Sequence, residues 1–349
     1  MRFGDLFSRP GKGRAAVLVD VRETSVAGAY LYVAPASPPA LLYTRRLPIE
    51  AREHEPRFKA MLRALSVLLD AMVREGAPAL ARTAGSGSVG SILGSIDAPW
   101  QETSVRTEHF EGDEPFTFTK NMVDEAIRKT ALEPSSRVLA DESIVGMLLN
   151  GYETRRPYGK RVRRAAVTIL SSRLSPEAAE GARRALSEAY HTDRVDLIAG
   201  SALRYQALRA AFPHEHMMLI VDARGPLTSI ELVRDNLLVA VKEVSEEGKE
   251  RRGTGVEQAL KELAGEYPLP RTIFLLAEAE ESSSLEAMLA SAQMLSLWLS
   301  EHPPKIVKVL PSHLRGLVVQ TDGTPADLPL LLAALYAAGR MHLLKGALA

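Results

Sequence analysis

Twice in this chain a short hydrophobic run ends on an aspartate, turns through a few polar or small residues, and resumes as a second apolar run. The first copy is Ala15-Ala16-Val17-Leu18-Val19-Asp20, followed by Ser25 to Val33; the second is Met217-Met218-Leu219-Ile220-Val221-Asp222, followed by Leu227 to Arg234. Runs this short, rich in branched residues and bounded by polar turns, read as buried strands. The copies stand roughly 200 residues apart, too far for a stacked solenoid and suited to a protein of two related lobes.

Between and after them the pattern is mixed. A strand is expected near Leu41 to Leu47. Apolar residues at three-four spacing from Phe58 to Val73 predict a helix closed by Gly76 and Pro78. Ser91 to Ile96 reads as a strand, Thr119 as the cap of a helix through Ile127, and Asn150-Gly151 as a tight hairpin turn. Arg161 to Ser171 reads as a strand, Ser175-Pro176 as the start of a helix to Tyr190, Val195 to Gly200 as a strand and Leu203 to Ala211 as a helix. Beyond the second aspartate come an acidic, glycine-containing stretch, Glu243 to Gly255, and a helix to Leu263. A strand over Thr272 to Leu276 and a helix with Leu285, Leu289, Leu295 and Leu299 on one face follow. The chain then gives a strand over Ile306 to Leu310 and a last helix from Ala326. The fold class is α/β.

The 349 residues suffice for two or three units, and 46% hydrophobic with 25% charged residues describes a folded chain. A net charge of zero supplies no global field toward nucleic acid or anionic lipid. The absence of cysteine removes disulfides, thiolate metal sites and cysteine nucleophiles together, and fits a reducing compartment. The first ten residues lack the apolar core of a secretion signal, and the apolar run Leu328 to Ala338 is far short of the ~20 residues a spanning helix needs. The expected location is the cytoplasm. No P-loop, HExxH or serine-protease pattern is present, so hydrolase, protease and P-loop readings have no support and turnover of a small substrate is not expected.

The two hairpins, Asp20-Val21-Arg22-Glu23-Thr24-Ser25 and Asp222-Ala223-Arg224-Gly225-Pro226-Leu227-Thr228, resemble the phosphate loops of the actin, Hsp70 and sugar-kinase superfamily. The stretch Leu148 to Lys160, with Asn150-Gly151-Tyr152 before Pro157-Tyr158-Gly159, resembles the inserted-subdomain segment of the FtsA/PilM branch, and Ala199-Gly200-Ser201-Ala202 follows the same layout. The resemblance implies an actin-like, ribonuclease H-like fold of two lobes with an FtsA/PilM-type insertion. It divides the chain into a first lobe over 1–98, the insertion over 99–172, a return to the first lobe over 173–215, a second lobe over 216–325 and a closing helix over 326–349 that packs between the lobes. It implies ATP near Asp20, Thr24, Ser25, Asp222, Gly225 and Thr228, with Mg²⁺ held through water by Asp20 and Asp222. It also implies protein partners at the inner membrane, in the division or type IV pilus machinery, and self-association. Three departures keep a nucleotide-free module open beside an ATP-dependent switch. Arg22 and Glu23 stand where backbone would approach phosphate, Pro226 removes an N–H donor, and the adenosine-side glycine pair is missing around Phe274 to Glu280. A small-molecule kinase of the same superfamily is a third reading.

Other signals are weaker. Gly85-Ser86-Gly87-Ser88-Val89-Gly90 matches a dinucleotide fingerprint but lacks the strand before and the helix after, and reads as a loop. Arg155, Arg156, Lys160 and Arg161, with Arg163 and Arg164, form a basic cluster without aromatic platforms, which suits a solvated hairpin or an acidic partner rather than nucleic acid. His214-Glu215-His216 lacks a third metal ligand. Phe3, Leu6 and Phe7 among basic residues would make at most a weak interfacial anchor.

Overall fold

Strands β1 (Arg14–Val21), β2 (Ser25–Val33), β3 (Ala40–Pro48), β4 (Ser91–Ile96) and β9 (Val195–Ala199) form one sheet in the order β3-β2-β1-β4-β9, with the two-residue β15 (Val319–Gln320) on the β3 edge. Strands β10 (Met218–Asp222), β11 (Leu227–Arg234), β12 (Leu237–Ser245), β13 (Thr272–Leu276) and β14 (Lys305–Lys308) form a second in the order β12-β11-β10-β13-β14. The plan is the same in both. A three-strand antiparallel meander is followed by two strands that join parallel to the first. This is a computed structural model, which describes residues 13–131, 135–154, 156–245, 249–298, 302–321 and 323–346; the basic N-terminal segment with Phe3, Leu6 and Phe7, and Arg155, lie outside them.

The continuous apolarity of β1 and β10 follows from burial on both faces. Ala16 and Leu18 point into a central core that they share with Met218 and Ile220, while Val17, Val19 and Val21 point outward and Leu219 and Val221 do the same in the second sheet. The central core is filled by α5 (Gly200–Ala211) and α9 (Leu328–Gly346), which pack on each other between the sheets. The outer face of the first sheet is covered by α1 (Arg57–Ala71), α2 (Ala77–Ala84) and α4 (Pro176–Tyr190), and that of the second by α6 (Lys249–Glu266) and α7 (Ala279–Leu289).

Between β4 and α4 the chain leaves the first sheet and builds a third, of β5 (Gln101–Thr117), β6 (Val138–Leu149), β7 (Tyr152–Glu153) and β8 (Arg161–Leu174) in the order β5-β8-β6-β7. Helix α3 (Lys120–Ala131) packs on it. Asn150 and Gly151 both take positive φ, 50° and 87°, the conformation a two-residue hairpin turn demands. Ser175 caps α4 by accepting from the Ala178 N–H, and Pro176 sits where its missing donor costs nothing.

Three expectations are corrected, and a polar strand that the pattern did not suggest is added. Gly76 and Pro78 do not end the helical run: a π-helical turn over Met72–Gly76 carries α1 into α2, and Pro78 falls in the first turn of α2. The polar stretch after Trp100 is the 17-residue β5, whose alternation of buried Gln101 and Thr103 with exposed neighbours is strand-like although its residues are polar. Of the acidic stretch from Glu243, the residues to Ser245 finish β12 and those from Lys249 belong to α6. The single helix expected from Leu285 onward is broken, with α8 (Ala292–Leu295) restarting after Ser291, whose hydroxyl accepts from the Met294 N–H; Leu299 lies outside the described residues.

Candidate functional site

Pairing places the aspartates at matching ends of the two sheets. Asp20 stands opposite Ala27 and beside Ser95, and Asp222 opposite Ser229 and beside Leu276. Both carboxylates are about 4% exposed and face each other across the seam between the lobes. What fills the space between them is arginine. The Arg22 guanidinium reaches from the β1–β2 turn to Asp20 (3.1 Å), Asp222 (3.4 Å) and Asp97 (3.5 Å). Arg204 on α5 reaches Asp222 (2.8 Å), Glu231 on β11 (2.8 Å) and Asp97 (3.1 Å). Arg224 closes on Asp222 at 2.7 Å, and Arg46 on β3 joins Asp20 (2.8 Å) to Asp327 (2.7 Å) at the start of α9.

Local geometry sets each member. The Arg224 N–H donates to Asp222 Oδ1 at 3.2 Å, a turn that folds the Arg224 side chain back over its own aspartate. Asp97 follows β4 and lies against Gly200, the first residue of α5. A Cβ on Gly200 would stand 2.7 Å from the Asp97 carboxyl carbon, so only glycine lets the helix approach it so closely. Asp327 accepts from the Leu330 N–H at 3.1 Å in the first turn of α9.

The electrostatics follow from burial and these pairs. Burial alone would raise the Asp20 carboxyl, but Arg22 and Arg46 overcome it and hold the group below the usual range. Burial likewise opposes the ionised form of Asp222, and Arg224, Arg204 and Arg22 together hold it well below. Glu231 has one close cation, Arg204, and burial wins: it is pushed up to about 7. Glu243 on β12 is also pushed up to about 7, by burial and then by Asp97. Arg224 is lowered by burial and by Arg22, and its buried Nη1 has no hydrogen-bond partner.

The residues expected at a nucleotide divide. Asp20, Ser25, Asp222 and Gly225 border the seam, with the Ser25 hydroxyl accepting from Arg46 at 2.8 Å. Thr24 is exposed and its carbonyl accepts from Ile49 N–H. Thr228 is fully buried on the outer face of β11, opposite the Leu227 and Ser229 side that borders the seam, and its hydroxyl has no partner. Arg156 and Lys160 are exposed between β7 and β8, and Arg161, Arg163 and Arg164 are exposed on β8.

A hydrated Mg²⁺ does not suit this donor set. Both oxygens of Asp222 accept from guanidinium groups, and the space left among Arg22, Asp97, Arg204 and Asp222 is ≈ 30 Å³, room for a water or two. A larger cavity of ≈ 570 Å³ lies on the far side of Arg22, Arg46 and Arg224, bordered also by Lys308 and Asp327. Among the described residues no cluster of metal ligands occurs and no helix is long and apolar enough to cross a membrane.

Arg46, Asp97, Arg204, Glu231 and Asp327 were not singled out from the sequence. The available signal was charge inside apolar elements: Arg204 within Ala202-Leu203-Arg204-Tyr205 and Glu231 within Ile230-Glu231-Leu232.

No family model and no curated protein sequence matches the chain. Among solved structures, the chain is similar to one from a PilM-PilN type IV pilus biogenesis complex, at 14% identity and a TM-score of 0.55, over 93% of this chain and 98% of that one. A second is a Bacteroides thetaiotaomicron protein with an actin-like ATPase fold and unknown function, at 8% identity and a TM-score of 0.46, over 93% and 96%. With its duplicated sheets, paired central helices and inserted third sheet, the chain has the actin-like, two-lobed α/β fold that the hairpins implied.

Proposed function

We propose that this actin-like chain is a scaffold of the PilM kind, binding protein partners at the inner face of a membrane in a pilus-type assembly machine. The observation that carries the reading is the end-to-end likeness to the chain from a PilM-PilN complex, 98% of which is covered, over 93% of this chain. Fold alone does not fix function, so the role has to be tested in cells. Deleting the gene in its host should abolish surface pili while cells divide normally; undivided filaments with intact pili would transfer the role to the division machinery.

The exposed Arg156, Lys160 and Arg161 on the third sheet are proposed as part of the partner surface. A rim of charge acts mainly on association rate and is screened by salt. Charge reversal at Arg161 should slow association with the membrane partner's cytoplasmic segment, and raising salt should remove the difference.

For the cleft, the nucleotide-free form of the reading is favoured over an ATP-driven switch because Asp222 has no oxygen to offer a hydrated metal. A ligand at a hundred times its dissociation constant adds about 2.7 kcal/mol of stability. ATP with Mg²⁺ should leave the melting temperature of the chain unchanged, and a clear rise would restore the switch.

A further inference from the structure

Four buried or half-buried arginines meet at the seam, and they do different things. Arg46 ties β1, β3 and the start of α9, all on the side of the first sheet. Arg224 stays within its own turn. Arg22 and Arg204 cross: each bonds Asp97 at the end of β4 and Asp222 at the end of β10, and Arg204 goes on to Glu231.

We propose that Arg22 and Arg204 are a built-in interlobe latch, holding the two aspartate hairpins together with the protein's own cations where a bound metal and polyphosphate would otherwise bridge them. The proposal rests on the nucleotide-free reading of the cleft and is independent of the pilus role. Its physical basis is the exclusion of solvent. The side chains of Arg204 and Asp222 are 3% and 4% exposed, so their attraction acts in a medium of low dielectric and weak salt screening. Burying such charges is itself costly, so a network of this kind adds little net stability over an apolar seam and instead specifies one geometry, because any other arrangement leaves a buried charge unpaired. The space left on the Asp97 and Arg204 side of the network is ≈ 30 Å³, while the ≈ 570 Å³ cavity lies on the far side of Arg22, so the network itself is closed to all but a water or two.

A distance between the lobes reads the latch directly. The chain has no cysteine, so Val67→Cys on α1 and Glu266→Cys at the end of α6 can be spin-labelled without background. Electron-electron double resonance on the otherwise unsubstituted chain should give one narrow distance, the same with and without ATP and Mg²⁺. Arg204→Met and Arg22→Gln should each lengthen and broaden it, while Arg46→Gln, which breaks only bridges within one lobe, should not. If Arg204→Met fails to fold by far-ultraviolet circular dichroism, the Arg22→Gln variant decides. An unchanged distance in a folded Arg22→Gln chain overturns the latch. A distance that ATP and Mg²⁺ shift in the unsubstituted chain overturns the nucleotide-free reading instead, and the two failures are thereby distinct.

Discussion

The two lobes carry the same three-residue pattern at the same place, Asp20-Val21-Arg22 at the end of β1 and Asp222-Ala223-Arg224 at the end of β10, yet the two arginines reach opposite ways. Arg224 is turned back by the bond from its own N–H to Asp222 and spends its guanidinium on that one carboxylate. Arg22, whose N–H instead donates to the Ser25 carbonyl at 2.9 Å, projects across the seam to three carboxylates. A duplicated sheet therefore does not give a symmetric cleft. Asp222 gathers Arg22, Arg204 and Arg224, whereas Asp20 shares Arg22 and Arg46, each of which has another acid to hold.

The sharpest way to break this comparison is to delete each aspartate in turn. Asp222→Ala leaves three guanidinium groups around an empty position, and removing one partner of a buried pair costs about 3–5 kcal/mol. Asp20→Ala leaves Arg22 with Asp97 and Asp222, and Arg46 with Asp327, so its cost should be the about 1–3 kcal/mol of an incompletely satisfied polar group. Urea unfolding of the two variants measures the difference, and equal midpoints would mean that the lobes are equivalent after all.

Arg224→Ala comes next. Asp222 keeps Arg22 and Arg204, and the substitution relieves a cation that burial and Arg22 already disfavour. The loss should not exceed about 1–3 kcal/mol, well below that of Asp222→Ala, by the same unfolding measurement. A loss as large would show that the bridge inside the turn, rather than the crossing arginines, satisfies Asp222.

How much of this could be read in advance depends on what kind of force shaped each part. The duplicated sheets were legible because burial on both faces writes an unbroken apolar run into Val17 to Val21 and Leu219 to Val221, and because a turn such as Asn150-Gly151 requires particular residues. Strand β5 was not, since a half-exposed strand of Glu, Thr and Arg carries its pattern in which residues are covered rather than in which are apolar. The two aspartates were legible as strand ends, but their partners were not. Arg46 and Asp327 are 281 positions apart, and pairing across that distance is decided by the packing of α9 against the first sheet. Thr228 was placed at the cleft from its position in the hairpin, and strand alternation puts it on the other face.

The acids of the second lobe also separate by pH. Glu231, held up near 7, keeps its proton in the folded chain where the unfolded chain, with its carboxyl near 4.5, has lost it. The folded state thus binds more protons between about 4.5 and 7, and stability should fall as pH rises through that window. Asp20 and Asp222 have lowered values, so their contribution is present above about 3.8 and is lost as pH falls below it. Glu231→Gln should flatten the upper limb of a melting-temperature profile and leave the acid limb in place; Glu243 supplies what slope remains.

The smallest expected effect is the one that most directly compares the lobes position by position. Because Asp20 pairs with Ala27 and Asp222 with Ser229, Val26 in the first lobe corresponds to Thr228 in the second. Both are fully buried on the outer faces of their sheets, but the Thr228 hydroxyl sits there without a hydrogen-bond partner. A buried hydroxyl in that state has lost its water without compensation, and replacing it by a methyl group of the same shape is neutral or favourable. Thr228→Val, which imports the first lobe's residue, should therefore leave stability unchanged or raise it by up to about 1 kcal/mol in urea unfolding. A clear loss would show that the hydroxyl is satisfied, and would return Thr228 to the set of residues that serve the cleft.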